Sequence, residues 1–244
     1  MSIQATRVYR RPSAAENVRW SVAVSFLGAT GIAWMVGWFL ELGGLFPLKA
    51  MLILGFGAAL IVAFAEKSGT SASFGRANRV TLGRGAMVAM LFALIGESGS
   101  SQVAWFVVIV ASTVGALDGV DGWLARRHDD ASEFGARFDM ETDALLIFAT
   151  TVLAWQYGKA GPWILAGGLM RYMFLGASYL MPWMRRKLPS SRRRKTVCVV
   201  QTFSLIICLA PPLAPPMSAL VAATGLMFLS ASFAIDVVWL ARRR

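Results

Sequence analysis

Apolar runs close to twenty residues long recur from Trp20 to Leu240, parted only by short polar stretches, and this repetition leaves few folds open. About twenty apolar residues in a helix cross the hydrocarbon core of a bilayer, and a backbone in lipid must satisfy its hydrogen bonds internally. Hydrophobic residues make up 57% of the 244-residue chain and charged residues 15%, against roughly 25% charged in an average soluble domain. The pattern predicts an all-α integral membrane protein.

The runs resolve into eight expected transmembrane helices, at about 20–40, 47–64, 80–95, 103–124, 134–155, 162–184, 197–210 and 217–240. The third and seventh are short, so their polar starts should add turns at the interface. The net charge is +11, which would suit nucleic acid, but the distribution argues otherwise. With the N-terminus inside, 20 of the 24 Lys and Arg residues fall in cytoplasmic segments. Only Lys49 and Lys159 fall in outside loops, and Arg84 and Arg171 lie within helices. The positive-inside rule then places both termini in the cytoplasm, and an odd number of spans would break the count. A bacterial inner membrane is the expected location. The polar, basic first twenty residues carry no cleavable-signal pattern. Cys198 and Cys208, ten residues apart in one helix, stand about 15 Å apart and cannot bridge.

Eight of the 13 acidic residues lie between Asp118 and Asp143. An ionised carboxylate in a membrane helix costs roughly 2.5–3.5 kcal/mol on insertion scales, so such residues read as functional by default. Asp118 and Asp121 are three apart and share a face of the fourth helix, with Gly122 and Ala125 beside them. Asp139 and Asp143 are four apart in the fifth helix, with Gly135 one turn back. The two helices are sequential and antiparallel, so their carboxylate faces can meet just under the headgroup zone. Four such carboxylates need counter-charge, and hard oxygen ligands suit Mg²⁺, Mn²⁺ or Ca²⁺. Two divalent ions would neutralise the cluster and could hold a diphosphate, with Arg84 and Arg126 available for its charge. A structural salt-bridge cluster with Arg126, Arg127 and Arg137 is the alternative.

The spacing from Asp118 through Asp121, Gly122, Ala125, Arg126, Gly135 and Asp139 to Asp143 resembles the signature D-x2-D-G-x2-A-R-x8-G-x3-D-x3-D of the CDP-alcohol phosphatidyltransferase family, at all eight fixed positions. The resemblance implies a six-helix core, here 76–244, preceded by an N-terminal unit, 1–66, with two extra helices. It implies a homodimer and two Mg²⁺ or Mn²⁺ ions held by Asp118, Asp121, Asp139 and Asp143. It further implies a CDP-linked lipid donor such as CDP-diacylglycerol, a small polar alcohol as acceptor, CMP as leaving group, and Asp143 as general base. Asn78, Thr81 and Arg84 resemble the family's N-x-x-T-x-x-R element. With Gly122, Ala125, Arg126 and Gly135 they are expected to hold the donor's CDP end.

Arg194 to Gln201 resembles the G-K-x-x-T-x-x-Q stretch of phosphatidylglycerophosphate synthases. Lys195 and Gln201 match, while Arg194 replaces Gly and Cys198 replaces Thr. Arg171 lies mid-span, with Tyr172 where those enzymes carry Glu. Arg171, Lys195 and Gln201 are therefore the expected acceptor contacts, with Asp236 a candidate structural partner for Arg171. Glycerol 3-phosphate is the first acceptor to expect, with inositol phosphate and serine as alternatives. A transporter would place its acids nearer the midplane, on separated, broken helices. A non-catalytic family member would often have lost one of the signature residues, and none is lost here.

Overall fold

The computed structural model describes residues 14–67, 76–128, 133–186, 188–189 and 191–243. The side chains at 14–17, 65–67, 76–77, 120–128 and 133 fall outside that description. The elements are α1 (Ala14–Phe39), α2 (Phe46–Lys67), α3 (Arg76–Ala93), α4 (Ser101–His128), α5 (Glu133–Gln156), α6 (Leu165–Leu180), α7 (Arg192–Leu209) and α8 (Met217–Ala241), with no strand among the described residues. The polar starts of α3 and α7 do join their helices, and each reaches 18 residues. The sixth helix is shorter than its apolar run. A 3₁₀ turn at Pro162–Ile164 precedes it, and the helix breaks at Met181, extended at φ −119° and ψ 96°. Pro182 follows, and proline disfavours helical backbone in the residue before it. The Ser- and Gly-rich stretch from Lys67 to Arg76, whose composition suits a linker, falls almost wholly outside the described residues.

Among the described residues, four helices are long and apolar enough to cross a membrane: Val18–Phe39, Phe46–Phe64, Ser101–Gly119 and Met217–Ala241. No more than 33% of those stretches is buried against protein. Trp34, Trp38, Phe56, Phe203 and Met227 point outward with over half their surface bare, which in water would make an apolar patch far beyond what a monomer carries. The other four helices are shorter or carry the charges that make the site, which lowers their hydropathy.

Helices alternate in direction, so the loops fall into two groups at the two ends of the bundle. At the end holding the loops after α1, α3, α5 and α7, polar contacts stitch loops together. Lys49 pairs with Glu97 and also donates to the Ile95 carbonyl at 3.3 Å. The Gly43 amide donates to Glu97 at 3.2 Å. Gln156 accepts from the Gly96 amide and donates to the Glu97 carbonyl, both at 2.7 Å. Lys159 donates to the carbonyls of Ala210 at 2.9 Å and Leu213 at 2.7 Å, satisfying oxygens that the end of α7 leaves open. Lys49 and Lys159, the two exceptions to the sequence's charge asymmetry, thus hold loops.

Between the ends lies the larger of two apolar clusters among the described residues. Ala33, Val36, Phe46 and Ala50 of the first two helices pack with Leu91, Leu94, Val103, Val107, Leu153, Leu205 and Leu209. Helices α5 and α6 approach closely at Gly168. A Cβ there would stand 2.5 Å from Thr151 Oγ1 and 2.9 Å from the Phe148 backbone, so only glycine fits. Buried hydroxyls in α5 are satisfied by their own helix, with Thr142 donating to the Phe138 carbonyl and Thr150 to that of Leu146.

Candidate active site

Helix α3 lies against both α4 and α5, whereas α4 and α5 touch each other only lightly. Asp118 of α4 meets Asp139 and Asp143 of α5, as their adjacency in sequence suggested, and a cation from a third helix stands among them. Asn78, Thr81 and Arg84 share one face of α3, as their spacing of three requires, and all three are buried, Arg84 completely. The Arg84 guanidinium reaches Asp118 Oδ1 at 3.1 Å, Asp139 Oδ1 at 2.5 Å, and Asp143 Oδ1. Arg84, expected beside the donor's diphosphate, pairs in the fold with the acid cluster.

A fully buried guanidinium is costly unless its charge is met. Here it is more than met. Among the described side chains three carboxylates surround one guanidinium, an excess of two negative charges. Asp118, Asp139 and Asp143 each offer an oxygen lying within 4.8 Å of the others. All three are partly exposed, so the cluster opens outward. That donor set, all carboxylate oxygen and over-charged, suits a hard divalent cation. The side chains of Asp121, Gly122, Ala125 and Arg126 lie outside the described residues. Gly135 is half-buried near the start of α5.

One expectation about an ion pair changes. Arg171 does not pair with Asp236. It pairs with Glu141, through Nη2 to Oε1 and through Nε to Oε2 at 3.4 Å. Glu141 lies two residues from both Asp139 and Asp143, so it turns away from the cluster and toward α6. The signal that could have found it is this spacing together with the presence of one basic residue in α6. Asp236 instead pairs with Arg193, and stands 3.5 Å from Arg194. Helices α7 and α8 are close neighbours, and Arg193 also donates to the Ser232 carbonyl at 2.9 Å.

The remaining acceptor candidates separate. Lys195 is exposed at the start of α7. Gln201 is completely buried, with neither amide atom hydrogen-bonded. Its amide fills a slot between α6 and α8 left by two glycines. A Cβ on Gly167 would stand 3.1 Å from Nε2, and one on Gly225 2.7 Å from Oε1.

The fold and the cluster define a class: an all-helical membrane protein with a carboxylate-rich site at one end, suited to phosphate chemistry with divalent cations. The sequence model of the CDP-alcohol phosphatidyltransferase family matches residues 74–235, more than half the chain, and the protein belongs to that family. No curated protein and no solved structure matches it. Membership makes this an integral membrane transferase of phospholipid synthesis, acting on a CDP-alcohol and an alcohol acceptor. Helices α1 and α2 precede the matched stretch.

Proposed function

We propose that this protein transfers a phosphatidyl group from a CDP-linked lipid such as CDP-diacylglycerol to a small polar alcohol, releasing CMP, with glycerol 3-phosphate as the first acceptor to test. The over-charged carboxylate cluster around Arg84 carries the reading. Asp118, Asp139 and Asp143, joined by Asp121 from the signature, would hold two Mg²⁺ or Mn²⁺ ions. Bound there, the ions supply charge neutralisation and orientation for the diphosphate.

In the transfer itself, the acceptor hydroxyl oxygen bonds to the phosphorus on the lipid side of the diphosphate. The bond from that phosphorus to the bridging oxygen breaks, CMP leaves with that oxygen, and the hydroxyl proton passes to the Asp143 carboxylate. Arg84 keeps Asp139 and Asp143 together and aimed, so the carboxylates need little reorganisation during the reaction. Asn78, Thr81, Gly122, Ala125, Arg126 and Gly135 hold the donor's CDP end, and Arg171, Lys195 and Gln201 serve the acceptor. For an acceptor phosphate to use Arg171, Glu141 must release it.

The catalytic core is 76–244, the first 66 residues form an accessory unit, and all eight helices span the bilayer. The site and both termini face the cytoplasm of a bacterial inner membrane, and the protein is a homodimer. Detergent-purified protein given CDP-diacylglycerol and Mg²⁺ or Mn²⁺ should release CMP with one acceptor among glycerol 3-phosphate, inositol phosphate, inositol, serine and glycerol. EDTA and Asp143→Asn should each abolish the release. No release from folded protein with any acceptor would sink the reading.

A further inference from the structure

The two helices ahead of the family-matched stretch reach the acid cluster through an aromatic contact. Phe64 of α2 stacks at 6.2 Å on Phe134, near the start of α5, and Phe134 stacks at 5.9 Å on Phe138. Phe134 is buried with Val18 and Val22 of α1 and Leu82 of α3, and Ala58, Ile61 and Val62 of α2 close the same pocket. The Phe138 ring tip lies 3.9 Å from where a Cβ would stand on Gly85, the residue after Arg84.

At 3.6 residues per turn, Phe134 and Phe138 share one face of α5, and Asp139 and Asp143 share the face one residue further round. A rotation of α5 that moves the rings moves the carboxylates. Helix α5 packs mainly on α3, α6 and α7, and α1 and α2 meet it only locally, around Phe134 near its start. There one ring touches side chains of α1, α2 and α3, so it can hold the rotation of the first turns, which carry Asp139 and Asp143.

We propose that Phe134 is a positioning residue. Gripped by α1, α2 and α3, it sets the rotation of α5 and so aims Asp139 and Asp143 at Arg84 and Asp118. The accessory helices thereby tune the affinity of the site for its cation. The proposal rests on the reading of the cluster as a divalent-metal site.

The test measures Mn²⁺ affinity by electron paramagnetic resonance on the full chain in detergent, without donor, alongside the metal dependence of CMP release. Phe134→Ala should weaken Mn²⁺ binding about tenfold or more, the range seen when support behind metal ligands is lost. The metal concentration for half-maximal CMP release should rise in step, and excess metal should recover most of the rate. Phe134→Leu should restore most of the affinity. Trp38→Ala, at a residue 83% exposed, should change nothing. Should Phe134→Ala fail to elute as folded protein, Phe64→Ala carries the test, with weakened Mn²⁺ binding expected. Unchanged Mn²⁺ affinity in a folded variant overturns the proposal alone. Wild-type protein that binds Mn²⁺ but releases no CMP overturns the transferase reading while the Mn²⁺ comparison still decides this one. Wild-type protein that takes up no Mn²⁺ overturns the metal site and this proposal together.

Discussion

Ion pairs close both ends of the bundle, but with opposite charge balance. At the loop-stitched end, Lys49 meets Glu97 one to one, and both find neutral backbone partners besides. Nearby, burial and Glu97 push the Tyr157 phenol up to about 12, so it stays protonated and adds no charge. At the other end, one buried guanidinium meets three carboxylates. A balanced pair completes itself and needs only geometry. A cluster rich in carboxylates keeps like charges close together, and a bound divalent cation would relieve them. Both ends use Lys or Arg with Asp or Glu, so stoichiometry, rather than residue type, separates structure from function.

The comparison can be broken by substitution, the largest effects coming from the unbalanced end. Arg84→Gln should destabilise the protein by roughly 1–3 kcal/mol, because three partly exposed carboxylates lose their shared hydrogen-bonded partner. Thermal unfolding in detergent would read this, and Mn²⁺ should restore part of the loss. Asp143→Asn should cut CMP release by at least about 10²–10⁴-fold, the contribution of a general base. Its unfolding temperature should not fall, because the change relieves like-charge repulsion. A clear drop in stability would mean that the cluster is already balanced. Mn²⁺ should raise the unfolding temperature of the wild type by mass action, and Asp139→Asn should lose that response. Gly168→Ala, away from both ends, should cost about 1–3 kcal/mol through overpacking against Phe148 and Thr151. Lys49→Ala should be the mildest, below about 1 kcal/mol, as expected of a partly exposed pair, with CMP release unchanged.

Much of the site was legible because helical periodicity is rigid. Asp139 and Asp143 share a face, as their spacing of four foretold, and meet Asp118 of the neighbouring helix, while Asn78, Thr81 and Arg84 share a face through spacings of three. Partners across helices were less legible. Arg171 found Glu141 instead of Asp236, because a pair between helices depends on which faces the packing brings together. The break at Met181 was marked by Pro182, yet the apolar run concealed it, since hydropathy counts residues without regard to backbone angles.

The sequence by itself determined the solvent, the helix count and the residues of the acid cluster. Apolar runs of bilayer length admit only helices that satisfy their own backbones, and fixed spacing puts carboxylates on common faces. The tertiary structure decided that α3 packs against both α4 and α5 and carries the counter-ion, and that residues of α1 and α2 meet Phe134 near the start of α5. Those outcomes depend on how helix surfaces fit one another across long stretches of chain, where no local period reaches.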